Sequence, residues 1–166
     1  MKPGRRVLLV CTANVCRSAL GAAFLRDHLA RLGCTDVEVA SAGTHAEAGR
    51  PALAEALRAA AAIRGDLAAH RSAPLDLVAA READLVLCAT RGHREHILDR
   101  WPDVDPARVR LFNEPIAGMV PPDVDDPLGW DGALFLLAAR VIDHAMEAWA
   151  RDLARGGPSP TGPGAC

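Results

Sequence analysis

One stretch of the sequence combines a nucleophile, a cation and a hydroxyl: Cys11-Thr12-Ala13-Asn14-Val15-Cys16-Arg17-Ser18. Five residues separate Cys11 from Arg17, and a serine follows at once. A loop of that length entering a helix can turn several backbone N–H groups inward. They then form an anion nest at the positive end of the helix dipole. Arg17 adds a planar fork suited to two phosphate oxygens. Cys11, at the mouth of the loop, lies in the field of these donors, which favours negative charge on its sulfur. The same arrangement holds a phosphate dianion and stabilises its transfer to sulfur. An isolated cysteine is more often a small buried hydrophobe, and Cys-x5-Arg alone is moderately specific. The strand before this stretch and the helix after it raise its weight.

Phosphoryl transfer to sulfur also needs a proton donor for the leaving oxygen. Asp126, followed by Pro127, is the candidate, inside Pro121-Pro122-Asp123-Val124-Asp125-Asp126-Pro127-Leu128-Gly129. Pro127 holds Asp126 extended, in a loop able to reach over the first turn. Asp123 and Asp125 remain rivals.

The elements that must position these groups alternate. Arg6 to Val10 is a short aliphatic run, as a buried parallel strand would be. From Ser18 the pattern is helical, with Leu20, Phe24, Leu25, Leu29 and Leu32 on one stripe and Gly33 as its stop. Val37 to Ala40 reads as a second strand. Pro51 opens an alanine-rich helix that Gly65 closes. Asp84 to Ala89 is a third strand, followed by a polar helix from His93 to Trp101, and Val109 to Phe112 is a fourth. The stretch from Asn113 to Trp130 is longer than an ordinary connection, as functional loops are. Ala133 to Leu153 is a long amphipathic helix. This order predicts an open parallel sheet with helices on both faces and ligands beyond the strands' carboxyl ends. The loops after Val10, Ala40, Ala89 and Phe112 are the places to search.

Length and composition fit one domain: 166 residues, half of them apolar. The division expected is a domain over 1–154 and a disordered Gly/Pro-rich tail over 155–166. A formal net charge of −2 argues against a nucleic-acid binder. No apolar stretch approaches the roughly 18 residues of a membrane span. The apolar run after Arg5-Arg6 is too short for a signal peptide, so a cytoplasmic protein is expected. Five cysteines at scattered positions form neither a secreted disulfide framework nor a zinc signature. His93 and His96, three apart on the polar helix, read as part of a solvated face with Arg91, Arg94 and Arg100. Trp101 and Trp149 read as packing residues.

The block from Cys11 to Ser18, with Asp126-Pro127 about 115 residues later, resembles the low-molecular-weight protein tyrosine phosphatase family. Ser41-Ala42-Gly43-Thr44 is similar to it as well. So is Ala83-Asp84-Leu85-Val86-Leu87, continuing to Thr90-Arg91-Gly92-His93-Arg94-Glu95-His96. The resemblance runs from about Arg6 to Leu153. It implies an α/β fold of three layers, an open sheet of four parallel strands flanked by helices (phosphatase I-like). It also implies a two-step phosphomonoester hydrolysis with neither metal nor cofactor. Cys11 would attack phosphorus to give a phosphocysteine while Asp126 protonates the leaving group, then serves as base for water. Arg17 would clamp the equatorial oxygens with loop amides from Thr12, Ala13, Asn14, Val15, Cys16 and Ser18. Ser18 would stabilise the leaving thiolate. Asn14, Ser41 and His70 would hold the loop's shape. Cys16 matches the family's second loop cysteine, which can form a reversible disulfide with the nucleophile. The partner would be a phosphotyrosine protein or a small phosphomonoester, with neither nucleic acid nor membrane, and the chain a monomer or weak dimer.

The departures bear on substrate. Ala19 stands where the family often has proline, and Gly21-Ala22-Ala23 where it has an acidic residue, changes that affect packing more than chemistry. The chain contains no tyrosine. The family's aromatic neighbours of Asp-Pro give way to Leu128-Gly129-Trp130, which weakens the wall for an aryl ring. A related arginine phosphatase branch has Thr where this chain has Val15, and the aliphatic residue favours phosphotyrosine or another aryl phosphate. Arsenate reductases share the fold. Their cysteine relay is incomplete here, since Glu95 stands where a partner to Cys88 is expected and Cys34 lies elsewhere. Cys88 reads as a buried strand residue. A pure phosphate-binding module would need neither nucleophile nor acid.

Overall fold

The structure is a computed structural model and describes residues 4–157. Four parallel strands form one sheet: β1 (Arg5–Cys11), β2 (Val37–Gly43), β3 (Leu85–Cys88) and β4 (Val109–Leu111), in the order β2-β1-β3-β4. Five α-helices connect and flank them: α1 (Arg17–Arg31), α2 (Ala54–Ile63), α3 (Leu77–Glu82), α4 (Arg91–Arg100) and α5 (Gly132–Ala154). This is the expected three-layer arrangement.

Alternation along β1 builds two cores. Val7, Leu9 and Cys11 face a core shared with α1, α2 and α5, whereas Leu8 and Val10 face one shared with Ala80 of α3 and Ile97 of α4. Phe24, Phe112 and Trp149 are almost wholly buried in the first core, each contributing about 1.5–3 kcal/mol. Trp149 also donates its indole N–H to the Phe112 carbonyl at 2.9 Å. His28 Nε2 meets Asp143 Oδ1 at 2.8 Å and ties α1 to α5. Gly21 lets α1 close on the sheet: a Cβ there would stand 2.6 Å from Leu9 Cδ2. That departure from the family pattern is thus one of packing.

Several elements differ from the sequence reading. β2 runs on to Gly43, three residues past Ala40, so Ser41 lies in the sheet. The alanine-rich helix begins three residues after Pro51, and its left-handed cap is Arg64 (φ 103°) rather than Gly65. The short helix α3 was not expected; Asp76 caps it by accepting from Ala79 N–H. Its six residues are too few for a helical period to show. The polar helix starts at Arg91, capped by Thr90, two residues before His93. At the far end, Gly156 (φ 79°) and the Gly157 N–H, which donates to Asp152 O, finish α5. The rest of the expected tail, from residue 158, lies outside the described residues.

Topology then selects the site. From β1 the chain crosses to β2 on one side, returns past β1 to β3 on the other, and so leaves a crevice at the carboxyl end of the central strand. Cys11 is the last residue of that strand.

Candidate active site

The turn from β1 into α1 is a buried, polar, closed structure. Cys11, Asn14, Arg17 and Ser18 are all at most 5% exposed. Buried polar groups must find partners, and here they find one another. Asn14 adopts a left-handed backbone (φ 54°), a conformation Asn tolerates better than most residues. Its side-chain NH2 donates to Ser18 Oγ at 2.8 Å and to Ser41 Oγ at 2.9 Å, while its Oδ1 accepts from Ala73 N–H at 2.9 Å. The Asn14 carbonyl accepts from His70 Nε2 at 2.7 Å. Because that oxygen can only accept, His70 carries its proton on Nε2.

Ser18 Oγ lies 2.9 Å from Cys11 Sγ. With Asn14 already donating to Ser18 Oγ, the serine proton is free to point at sulfur. The hydroxyl therefore solvates negative charge there. Among the described residues, the N–H groups of Ala13 to Ser18 donate to no backbone acceptor. They are left as an unspent row of donors at the N-terminus of α1, the condition for an anion nest.

Gly43 explains how the loop can sit so low. A Cβ at this position would stand 2.4 Å from Thr12 O and 2.9 Å from Asn14 N. The turn that follows it fastens the loop, with Thr44 N–H on Cys11 O and His45 N–H on Thr12 O, both at 2.9 Å. Leu53 N–H holds the Val15 carbonyl at 2.9 Å, and the Val15 side chain is buried.

Arg17 joins the two halves of the site. It donates through Nη1 to the Val124 carbonyl at 3.0 Å, and through Nη2 to Thr12 Oγ1 at 3.3 Å and Asp126 Oδ2 at 3.2 Å. The long loop thus reaches over the first turn, and of the three aspartates it is Asp126 that meets the guanidinium. Asp123 instead accepts from the backbone N–H of Arg91 at 2.8 Å and from its side chain, at the start of α4. Asp125 makes no side-chain hydrogen bond among the described residues. The loop is anchored to the sheet by Val124 N–H on Ala89 O at 2.8 Å.

His93 corrects the sequence reading. It is buried, not part of a solvated face: its Nε2 lies 2.9 Å from Thr12 Oγ1 and its Nδ1 lies 2.8 Å from Thr90 Oγ1. Burial, then the nearby Arg17 and His96, push its pKa down to about 4, so the ring is neutral. Gly43, Ala73, Thr90, His93 and the Val124 carbonyl are the site residues that sequence reasoning did not single out for their contacts. Cys16 is buried, and burial together with Cys11 and Asp126 pushes its thiol up to about 12. Cys88 is fully buried on β3, as expected, and burial raises it to about 12 as well.

A parallel sheet carrying a Cys-x5-Arg loop at the carboxyl end of its central strand defines a cysteine-dependent phosphatase. The family model described as low molecular weight phosphotyrosine protein phosphatase matches residues 6–158, and the chain belongs to that family. It is 30% identical over 149 residues to the low molecular weight protein-tyrosine-phosphatase Etp of Escherichia coli K12, covering 90% of this chain and 95% of the relative. It is 36% identical over 149 residues to a protein-arginine-phosphatase of Geobacillus stearothermophilus, covering 89% and 95%. Among solved structures, a YwlE arginine phosphatase mutant with a phosphorylated active-site serine superposes with a TM-score of 0.81. That pair is 27% identical, over 89% of this chain and 95% of the other. No helix among the described residues is long and apolar enough to cross a membrane.

Proposed function

We propose that this chain is a protein tyrosine phosphatase in which Cys11 is the nucleophile, Arg17 the phosphate clamp and Asp126 the general acid and base. The observation that carries the assignment is the convergence of Ser18 on Cys11 Sγ and of Asp126 on Arg17 at the mouth of one row of free amides.

In the first step Cys11 Sγ attacks phosphorus in line. The P–S bond forms as the ester P–O bond breaks, and protonated Asp126 gives its proton to the departing oxygen. Arg17 and the amides from Thr12 to Ser18 hold the three equatorial oxygens, where charge is spread in the transition state. Asp126 then takes a proton from water as that water attacks phosphorus. The P–S bond breaks, inorganic phosphate leaves, and the Ser18 hydroxyl stabilises the returning thiolate. Asn14, Ser41 and His70 fix the loop's shape. The phosphorylated active-site serine in the YwlE relative supports a covalent intermediate at the corresponding place.

Tyrosine preference rests on Val15, an aliphatic and buried residue of the loop, and on relatives named as tyrosine phosphatases. The arginine phosphatase relative, at 36% identity, and the replacement of an aromatic by Leu128 favour the second reading, phosphoarginine. Matched phosphotyrosine and phosphoarginine peptides, under reducing conditions with Cys11→Ser as blank, separate the two. The expected outcome is Cys11-dependent release preferring phosphotyrosine, with Val15→Thr shifting the ratio toward phosphoarginine. A wild-type preference for phosphoarginine overturns the tyrosine assignment and keeps the chemistry.

A further inference from the structure

The phosphatase chemistry does not require His93, yet His93 is the buried ring that reaches the phosphate loop from the opposite side of the sheet. It stands on α4, whose apolar residue Ile97 packs in the second core, whereas the loop leads into α1 of the first. Three consecutive contacts link them. Thr90 Oγ1 lies 2.8 Å from His93 Nδ1, His93 Nε2 lies 2.9 Å from Thr12 Oγ1, and Thr12 Oγ1 accepts from Arg17 Nη2 at 3.3 Å. Thr90 is itself fixed as the cap of α4, accepting from the His93 N–H at 3.3 Å.

We propose that His93 is a positioning residue: locked onto Thr90, it fixes the Thr12 hydroxyl and, through it, the plane of the Arg17 guanidinium at the phosphoryl site. The inference rests on the cysteine-dependent chemistry and not on the choice between phosphotyrosine and phosphoarginine.

The donor and acceptor counts close for a neutral ring in either tautomer. A neutral imidazole offers one N–H and one lone pair, and each threonine hydroxyl can donate and accept. Thr12 Oγ1 accepts from Arg17 whichever nitrogen carries the proton. With the proton on Nε2, Thr12 accepts from His93 as well and turns its own hydrogen elsewhere. With the proton on Nδ1, Thr12 donates to Nε2. In either case the threonine oxygen stays where Arg17 needs it. An imidazolium would place a second positive charge beside Arg17, and burial of the ring opposes that form. The charged and titratable groups facing the ring are Arg17 from α1, Asp123 and Asp126 from the long loop, and His96 on its own helix. The guanidinium also has Val124 O and Asp126 as anchors, but both belong to the long loop. Thr12 is the anchor supplied by the phosphate loop itself, and His93 is what braces it.

Two near-isosteric substitutions divide the ring's two ends. In His93→Gln the longer side chain carries its amide to the position of Nε2 and keeps the Thr12 contact. In His93→Asn the shorter one carries it to that of Nδ1 and keeps only Thr90. The experiment measures p-nitrophenyl phosphate hydrolysis and competitive inhibition by inorganic phosphate on the full chain. It compares His93→Gln, His93→Asn, Thr12→Val and the double variant His93→Asn/Thr12→Val, with Cys11→Ser as blank and thermal midpoints for each. His93→Asn is expected to lose about tenfold in kcat/KM, with weaker phosphate inhibition. His93→Gln is expected to stay within about threefold of wild type, and the double variant to be no worse than Thr12→Val alone. Equal activity of His93→Asn and wild type overturns the proposal. So do equal losses in His93→Asn and His93→Gln that follow their thermal midpoints, because a merely structural ring would behave that way. Phosphate release by wild type no faster than by Cys11→Ser would instead remove the phosphatase chemistry, and the inference with it.

Discussion

The two loops that meet at Arg17 are built in opposite ways. The cradle from Cys11 to Ser18 is interlocked: Asn14 alone bonds Ser18, Ser41, Ala73 and His70. Beyond its anchor at Val124, the arm that carries Asp126 is held by little. Its carboxylate accepts from Arg17 and from Leu128 N–H, each at 3.2 Å, and its side chain is 51% exposed against 6% for Arg17. Beyond Asp126 a turn with Gly129 at φ 80° closes through Trp130 N–H on Pro127 O, and Leu128 and Trp130 face solvent. The difference follows from what each must do. A site for developing charge gains by preorganisation, because nothing has to reorganise during the reaction. A group that gives and then takes a proton, and borders varied leaving groups, gains from freedom to move.

That contrast can be broken at either loop. Asp126→Asn should lower kcat by about 10²–10³-fold on a phosphotyrosine peptide, with the thermal midpoint almost unchanged. A fall in melting temperature would show that the arm is structural after all. Gly43→Ala attacks the cradle without touching a reactive group. The added Cβ meets Thr12 O and Asn14 N, so the loop must lift. Activity should fall about 100-fold and stability by about 1–3 kcal/mol, read by kinetics and urea unfolding on one preparation. If Gly43→Ala melts normally and turns over normally, the cradle is softer than its hydrogen bonds indicate.

The pH dependence of stability tests the buried side of the cradle. His93 is depressed to about 4 in the folded chain from an ordinary 6.5, so between those values the unfolded state binds more protons. Stability therefore declines as pH falls from about 6.5 toward 4, by roughly 3 kcal/mol at most. Asp123 and Glu114 are also depressed, by their arginine partners, and erode stability only at lower pH as they protonate. Urea unfolding at intervals between about pH 7 and 4.5 should show the decline, and His93→Gln should flatten it. A wild-type curve that is already flat would mean that the ring protonates freely in the folded state. The smallest effect belongs to the arm's tip. Leu128→Tyr should lower KM for aryl phosphates severalfold, in line with about 0.5–1.5 kcal/mol for an aromatic pair, leaving phosphoarginine peptides unaffected. An equal change on both substrates would mean that residue 128 does not touch the leaving group.

Much of this molecule is legible along the chain because its logic is local. The strand ending at Cys11, the spacing to Arg17 and the stripe from Leu20 to Leu29 are all one-dimensional patterns that short-range geometry turns into a strand, a nest and a helix. The alternation of strands and helices already fixes a parallel sheet, because parallel neighbours need crossovers. Two errors have the same origin. Helix α3 is too short to display a period, and His93 follows the polar pattern of its helix while its ring is buried by a loop 81 residues away in sequence.

Sequence by itself therefore determined the reaction's vocabulary: a thiol, a guanidinium, a hydroxyl and a row of amides at one helix start. Only the tertiary structure decided which aspartate meets Arg17, why residue 43 must lack a side chain, and which histidine braces the loop. Those choices depend on contacts between segments far apart in the chain. No local periodicity encodes such contacts, since they follow from packing the two faces of the sheet and from the need of buried polar groups to find partners.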